Sequence, residues 1–123
     1  MGDLSETLEQ LRRKIHRYGN TRVNEQNTKA TLIQPLLRAL GWDVEDLDDV
    51  HLEYREKSKD KPVDYAMLLM RAPVLFFEAK ALGESLDDRR WANQVMGYAG
   101  VAGVQWVVLT DGDEYRIYNA HAA

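Results

Sequence analysis

The order of helix-like and strand-like segments predicts an α/β or α+β domain with one mixed five-stranded sheet flanked by helices. Two helical segments come first, three strand-like runs follow, and a further helix precedes the last two strands. A helix that joins two neighbouring strands can cross over the sheet, so the third and fourth strands are expected to run parallel. The 123 residues suffice for one such domain with one hydrophobic core.

Three helices are predicted from apolar residues that recur at helical spacing. The predicted ranges are residues 4–18, residues 24–40 and a segment from Asp87 or Asp88 to about Val101. Asn24 is the expected N-cap of the second helix. Pro35 lies inside this helix and lacks a backbone donor, so we expect a kink or a local break there.

Five strands are predicted from short apolar or alternating runs bounded by turn residues, at 51–56, 63–70, 74–81, 105–110 and 114–119. A tight turn at Arg71-Ala72 would join the second strand to the third, and Asp111-Gly112-Asp113 is a strong turn signal before the last strand. The chain ends abruptly after that strand. We therefore expect residues 1–123 to be a single domain cut from a longer protein.

The composition excludes some classes of site and favours one compartment. Cysteine is absent, which rules out disulfides and thiolate zinc sites and fits a cytoplasmic protein. The three histidines are scattered and have no metal-ligand spacing. The longest apolar stretches are too short to span a bilayer, so we expect no membrane partner.

The charge distribution leaves nucleic-acid binding open. A formal charge of -4, from 16 basic and 20 acidic side chains, argues against broad affinity for nucleic acid from net charge alone. Basic residues nevertheless cluster locally, and they can equally form a solvated helix face and a polar loop. The clusters are Arg12, Arg13, Lys14 and Arg17; Lys57, Lys59 and Lys61; and Arg89 and Arg90.

Charged residues inside two apolar, strand-like runs are the most informative feature of the sequence. Asp64 lies in the second predicted strand, and Glu78 and Lys80 lie in the third. A charge inside a buried strand is costly unless it is paired or binds a metal ion. Two acids and one lysine that converge on one spot suggest a metal-dependent hydrolytic site.

The register between the second and third strands decides whether these residues meet. Glu78 and Lys80 share a face because side chains alternate along a strand. A strict two-residue turn would place Asp64 opposite Ala79, whereas an odd-length or bulged turn around Arg71 would place it opposite Glu78. We predict the second register, because two adjacent carboxylates can share Mg²⁺ or Mn²⁺. The alternative is a solvated Glu78–Lys80 pair at a strand end.

Three further polar residues are candidates for the same site. Gln94 and Tyr98 are four residues apart on the third predicted helix, hence on one face, where they can hold a phosphate, a base or the lysine. Glu25, in the first turn of the second helix, could reach the metal as an additional ligand. The alternatives are an ordinary hydrogen-bonded helix surface for the first two residues and a favourable first-turn acid for Glu25.

Six segments carry a resemblance to a known family when they are taken in order. They are residues 24–37, 40–44, 63–66, 77–83, 94–99 and 106–112. Together they resemble the PD-(D/E)XK nuclease superfamily, and more closely the N-terminal nuclease domain of type I restriction enzyme R (motor) subunits and its shorter stand-alone relatives. The resemblance spans nearly the whole chain. One departure is Val63 at the position of the superfamily's proline, which here lies one residue earlier, at Pro62.

The resemblance implies a restriction-endonuclease-like core and specific roles for the candidate residues. By this resemblance Asp64 and Glu78 bind Mg²⁺, Lys80 assists the attacking water, and Gln94 with Tyr98 forms a Q-x-x-x-Y element. Glu25 matches the acid that the first core helix often contributes in this family. The implied context is restriction or antiviral defence, with DNA as substrate and motor or specificity domains or subunits as partners.

The sequence is therefore compatible with three functions. The first is a metal-dependent endodeoxyribonuclease domain of a restriction system. The second is a catalytically inactive nuclease-fold module for nucleic-acid binding or assembly, whose DNA affinity would not depend on Mg²⁺. The third is a small α/β domain without a role in nucleic-acid chemistry, whose binding would not weaken with added salt.

Overall fold

The sheet has five strands in the order β1-β2-β3-β4-β5. The computed structural model describes residues 3–55, 57 and 61–121. Its strands are β1 (Val50–Tyr54), β2 (Val63–Leu69), β3 (Ala72–Ala79), β4 (Trp106–Thr110) and β5 (Tyr115–Asn119). Neighbouring strands are antiparallel except β3 and β4, which are parallel. The prediction of a mixed five-stranded sheet in an α+β domain is therefore confirmed.

Helices connect and cover this sheet. They are α1 (Leu4–Tyr18), α2 (Glu25–Thr28), a π-helical turn (Lys29–Ile33), α3 (Gln34–Ala39) and α4 (Arg89–Ala102). Asn24 caps α2 with its side chain, as predicted, and of the two candidates Asp87 and Asp88 it is Asp88 that caps α4. Within the part of the chain that the structure describes, no helix is long and apolar enough to cross a membrane. Glu56 and Lys59, which belong to a predicted strand and a predicted basic cluster, lie outside the described residues.

The irregularity expected at Pro35 takes the form of the π-helical turn just before it. The backbone N–H of Gln34 bonds to the carbonyl of Lys29, five residues back, and α3 then continues through Pro35. Proline has no N–H for the carbonyl four residues earlier, which belongs to Thr31. The Lys14 ammonium donates to that carbonyl at 3.1 Å. One residue of the predicted basic cluster on α1 therefore stabilises the helix break.

Two apolar clusters lie on opposite faces of the sheet. Side chains alternate along a strand, and Tyr65 and Phe77 belong to one cluster while their neighbours Ala66 and Phe76 belong to the other. The helical segment from 25 to 39 covers the first face through its own apolar residues, and α4 covers the second. The helix residues concerned are Ile33 and Leu37 on one side and Val95 and Ala99 on the other.

The register of β2 against β3 is the one that the hydrolytic site requires. Tyr65 pairs with Phe77, and the register shifts between Met67 and Leu68. The predicted register is confirmed, but the predicted position of the irregularity was wrong. The hairpin turn itself is regular, because Leu69 pairs with Ala72 and the two residues between them have positive φ angles, as in a type I′ turn. The extra residue is therefore inside the ladder, where β3 can bend without disturbing the turn.

The turn after β4 anchors the helical segment that faces the site. A Cβ added to Gly112 would lie 2.9 Å from the Leu32 side chain, and the φ angle of Gly112 is +90°. The Thr28 hydroxyl accepts the backbone N–H of Leu82 at 3.0 Å, which ties the same segment to the loop after β3. These contacts fix the π-helical turn relative to the ends of β2 and β3.

Candidate active site

A cleft of about 340 Å³ lies where β1 and β3 end and β2 begins. Its walls are mostly polar and come from α2, the π-helical turn, β1, β2, β3, α4 and the loops before β2 and after β3. The lining residues are Glu25, Gln26, Lys29, Glu53, Lys61, Pro62, Asp64, Glu78, Lys80, Trp91 and Gln94. Five of the six predicted site residues therefore line one cleft, and the sixth, Tyr98, lies behind Gln94.

Asp64 is held by two short hydrogen bonds at the floor of the cleft. Its side chain is buried, with one tenth of its surface exposed. Oδ1 accepts from the Lys29 ammonium at 2.5 Å, and Oδ2 accepts from the backbone N–H of Ala79 at 2.7 Å. Charge-assisted bonds of this length fix the position of a carboxylate well. Asp64 therefore has one defined orientation toward β3.

Glu78 lies directly beside Asp64. The backbone N–H of Asp64 donates to Glu78 Oε1 at 3.3 Å. Burial raises the pKa of Glu78 to about 9, helped by its contact with the Asp64 carboxylate and by that carboxylate's negative charge. The two acids thus form a pair, called here the Asp64–Glu78 pair, in which ionisation of the second carboxyl group costs free energy.

Lys80 follows β3 and directs its ammonium onto an aromatic ring. Its backbone N–H bonds to the carbonyl of Thr110 at 2.8 Å, which ties the residue to β4. Its Nζ lies 4.2 Å from the centre of the Trp91 ring, in a cation–π contact. Lys80 is therefore a positioned cation at the wall of the cleft, and it makes no ion pair with either acid of the Asp64–Glu78 pair.

Gln94 and Tyr98 form a hydrogen-bonded unit on α4. The Gln94 amide donates to the Tyr98 hydroxyl at 3.2 Å, and both side chains are half-buried. Tyr98 packs against the apolar cluster under α4, whereas Gln94 reaches the cleft. The hydrogen bond to Tyr98 thus holds the Gln94 side-chain amide in position at the cleft.

Glu25 lines the cleft from the start of α2 without joining the Asp64–Glu78 pair. Although its surface is largely exposed, the surrounding protein excludes enough water to raise the pKa of Glu25, and the charge of Asp64 raises it further. Among the described residues, no three acidic or histidine side chains are close enough to hold a metal ion between them. The role of Glu25 as an additional ligand stays a prediction.

The comparison with protein families matches residues 22–123 to the family described as the type I restriction enzyme R protein N terminus. The match begins just before α2 and continues through the whole sheet.

The chain belongs to this family.

Comparison with curated proteins gave no significant match, and comparison with solved structures gave none either. The family match confirms the resemblance to the N-terminal domain of R proteins that the sequence predicted. The fold of this R-protein N-terminal domain is consistent with a restriction-endonuclease-like core.

The donor set of the R-protein domain fits a hard divalent cation. The Asp64–Glu78 pair offers carboxylate oxygens only, which suits Mg²⁺ or Mn²⁺. Burial first, and then the contact with and repulsion from the Asp64 carboxylate, raise the pKa of Glu78. A bound cation would relieve that repulsion. Asp64 and Glu78 are the residues that would hold it.

Among the charged and aromatic residues that line the cleft, three were not singled out from the sequence. They are Lys29, Glu53 and Trp91. Lys29 follows Glu25 by four residues, a spacing that places both on one helix face and could have indicated it. Glu53 lies in an unremarkable outer strand, but its φ angle is +52°, an uncommon value for a residue with a side chain. No local sequence signal distinguishes Trp91 from a core tryptophan.

Proposed function

We propose that this R-protein N-terminal domain is a metal-dependent endonuclease that hydrolyses DNA phosphodiester bonds within a restriction system. The observation that carries the proposal is the Asp64–Glu78 pair, in which Asp64 is buried and Glu78 half-buried, with Lys80 on the wall of the same cleft. Paired acids and one nearby cation are the groups that phosphodiester hydrolysis needs. The family supports a restriction context, and the substrate and the metal dependence are our inference.

The chemistry divides among the residues of the cleft. A bound Mg²⁺ or Mn²⁺ supplies charge that activates the scissile phosphate and the attacking water. Asp64 and Glu78 hold and orient that charge. Lys80 contributes a cation on a flexible stem, which can turn from Trp91 toward the phosphate and offset the negative charge that grows in the transition state. Gln94 binds the phosphate or a base while Tyr98 holds its amide.

Target selection is expected to come from outside this domain. Four carboxylates and three lysines line the cleft, so it has little positive charge of its own for long DNA contacts. We therefore propose that motor or specificity domains or subunits of a restriction complex bring DNA to it.

The proposed function is tested by cleavage of supercoiled plasmid. We expect nicked and linear products with Mg²⁺ or Mn²⁺, and none with EDTA. The assay should use the protein alone and together with the motor and specificity partners proposed above, because DNA delivery is expected to depend on them. Cleavage that persists in EDTA, or no cleavage with either metal in the presence of these partners, would contradict the proposal.

Replacing Gln94 with alanine is expected to weaken DNA engagement more than metal binding. The variant removes an amide that reaches the cleft, while Tyr98 stays packed on the core. At subsaturating DNA, the cleavage rate should fall about 5- to 50-fold, as for the loss of one or two hydrogen bonds to a charged group. Mn²⁺ affinity should be unchanged. The control is Gln26→Ala, an exposed amide that lines the cleft. An unchanged rate for Gln94→Ala would remove Gln94 from the site.

A second function is favoured by one observation. Both oxygens of Asp64 already have donors within the protein, from Lys29 and from the backbone of Ala79. A site that is complete in this way could serve as a nucleic-acid binding or assembly module without cutting. DNA affinity that is the same with Mg²⁺ and EDTA, and that survives Glu78→Ala, would favour this alternative.

A further inference from the structure

Lys29 is a buried lysine in contact with the acids of the cleft. Only 7% of its surface is exposed. Its Nζ lies 2.5 Å from Asp64 Oδ1 and 3.7 Å from Glu53 Oε1. Burial lowers the pKa of Lys29, but the hydrogen bond and negative charge of Asp64 outweigh burial and leave the pKa above its ordinary value. Lys29 is therefore a charged ammonium inside the protein.

The backbone on both sides of this ammonium departs from regular structure. The π-helical turn begins at Lys29, and such turns frequently occur at functional sites. On the other side, Glu53 reaches Lys29 from a backbone with φ of +52°, a conformation that costs energy and is kept only where surrounding structure imposes it. Two independent irregularities thus converge on one lysine.

Of the three lysines that line the cleft, all within the described part of the chain, only Lys29 forms an ion pair with the Asp64–Glu78 pair. Lys80 lies over Trp91, and Lys61 is exposed at the cleft wall. Without Lys29, the described part of the site would place two adjacent carboxylates together with no cation in contact. Lys29 therefore lies where a positive charge offsets the repulsion between the two carboxylates.

We propose that Lys29 is a positioning residue that acts as a built-in counter-charge for the Asp64–Glu78 pair. It keeps the site assembled before a divalent cation arrives, and its charge opposes that cation once both are present. The site would thus stay folded without metal and bind metal reversibly. The inference rests on the proposed function, because it concerns the cation that the same two acids would hold.

Removal of the positive charge of Lys29 is expected to increase metal affinity. Lys29→Gln keeps a donor for Asp64 Oδ1 and removes the charge. We expect this variant to bind Mn²⁺ about 3- to 10-fold more tightly than wild type at pH 8, because one nearby positive charge is gone. In EDTA it should melt a few degrees lower than wild type, and saturating Mn²⁺ should restore most of that loss.

The experiment measures Mn²⁺ binding by calorimetry and melting temperature with Mn²⁺ or EDTA. Lys29→Arg retains the charge and should have wild-type Mn²⁺ affinity within about twofold. Lys61→Gln, which removes an exposed lysine of the same cleft, should also stay within about twofold. Lys29→Met, which also removes the donor, should give the same tightening as Lys29→Gln and a larger melting loss in EDTA.

The outcomes separate the inference from the function on which it rests. Mn²⁺ affinity of Lys29→Gln that equals or falls below that of wild type overturns the counter-charge. The counter-charge is also overturned if Lys29→Gln lowers the melting temperature equally in Mn²⁺ and in EDTA, because that result is expected of a purely structural ion pair. Absence of Mn²⁺ binding by wild type would count against the metal-dependent nuclease. The counter-charge would even then be supported if Lys29→Gln gained binding.

Discussion

Replacing Lys80 with methionine is expected to lower the rate of metal-dependent plasmid cleavage about 100- to 1,000-fold. The change keeps an apolar stem that can still contact Trp91 and removes the cation that would face the phosphate. Loss of one preorganised group that stabilises transition-state charge typically has an effect of this size. Because Lys80 makes no ion pair with the Asp64–Glu78 pair, Mn²⁺ affinity should stay within about threefold of wild type.

The matched control for this prediction is Lys61→Met. Lys61 lines the same cleft but is exposed, so this variant removes the same charge without removing the positioned ammonium. We expect its cleavage rate to fall no more than about threefold at moderate salt. If Lys80→Met retained more than about one tenth of wild-type activity, or if the two lysine variants behaved alike, Lys80 would have no special role in the reaction.

Replacing Glu78 with glutamine is expected to abolish metal-dependent cleavage while stabilising the metal-free protein above neutral pH. The variant removes one of two carboxylates that would hold the cation, so Mn²⁺ affinity should fall about 10- to 100-fold or more. In EDTA at pH 8, the free energy of unfolding should rise by about 1–3 kcal/mol. The folded wild type must keep a half-buried acid beside Asp64 protonated at a pH where the unfolded chain ionises it, and a neutral amide has no such cost.

The pKa of Glu78 determines whether the stability of the metal-free protein rises or falls with pH. The pKa of Glu78 is about 9 in the folded protein, raised from 4.5 by burial and by Asp64. Between these values the folded protein binds more protons at this residue than the unfolded chain does. Stability of the metal-free wild type should therefore decline as pH rises from 5 to 9, and this decline should be weaker in Glu78→Gln. Denaturant melts in EDTA at pH 5, 7 and 9 would measure the difference.

A suitable control for this series is Glu84→Gln. Glu84 is exposed, and an amide oxygen can still accept the backbone N–H of Ala81. This control should keep the wild-type pH profile and the wild-type Mn²⁺ affinity. A Glu78→Gln variant that is less stable than wild type in EDTA at pH 8, or that binds Mn²⁺ normally, would contradict a shared site in the Asp64–Glu78 pair.

The fold was predictable to a large extent because local signals agreed with one another. The apolar spacing of residues 4–18 and the caps at Asn24 and Asp88 predicted helices that the structure contains. The apolar runs around Asp64 and Glu78 predicted β2 and β3, although β3 begins two residues earlier than expected and ends before Lys80. The parallel pairing of β3 with β4 followed from the helix between them.

The sequence by itself predicted Asp64 on β2, Glu78 on β3 and Gln94 on α4 as site residues, because alternation along strands and spacing along helices are local properties of the chain. It did not predict Trp91 on the same helix. Only the tertiary structure decided how they meet. The register shift inside β3 places Asp64 beside Glu78, and the π-helical turn brings Lys29 to the same carboxylate. Both depend on packing between distant segments, so the contact of Lys29 with Asp64, 35 residues away, has no local signal.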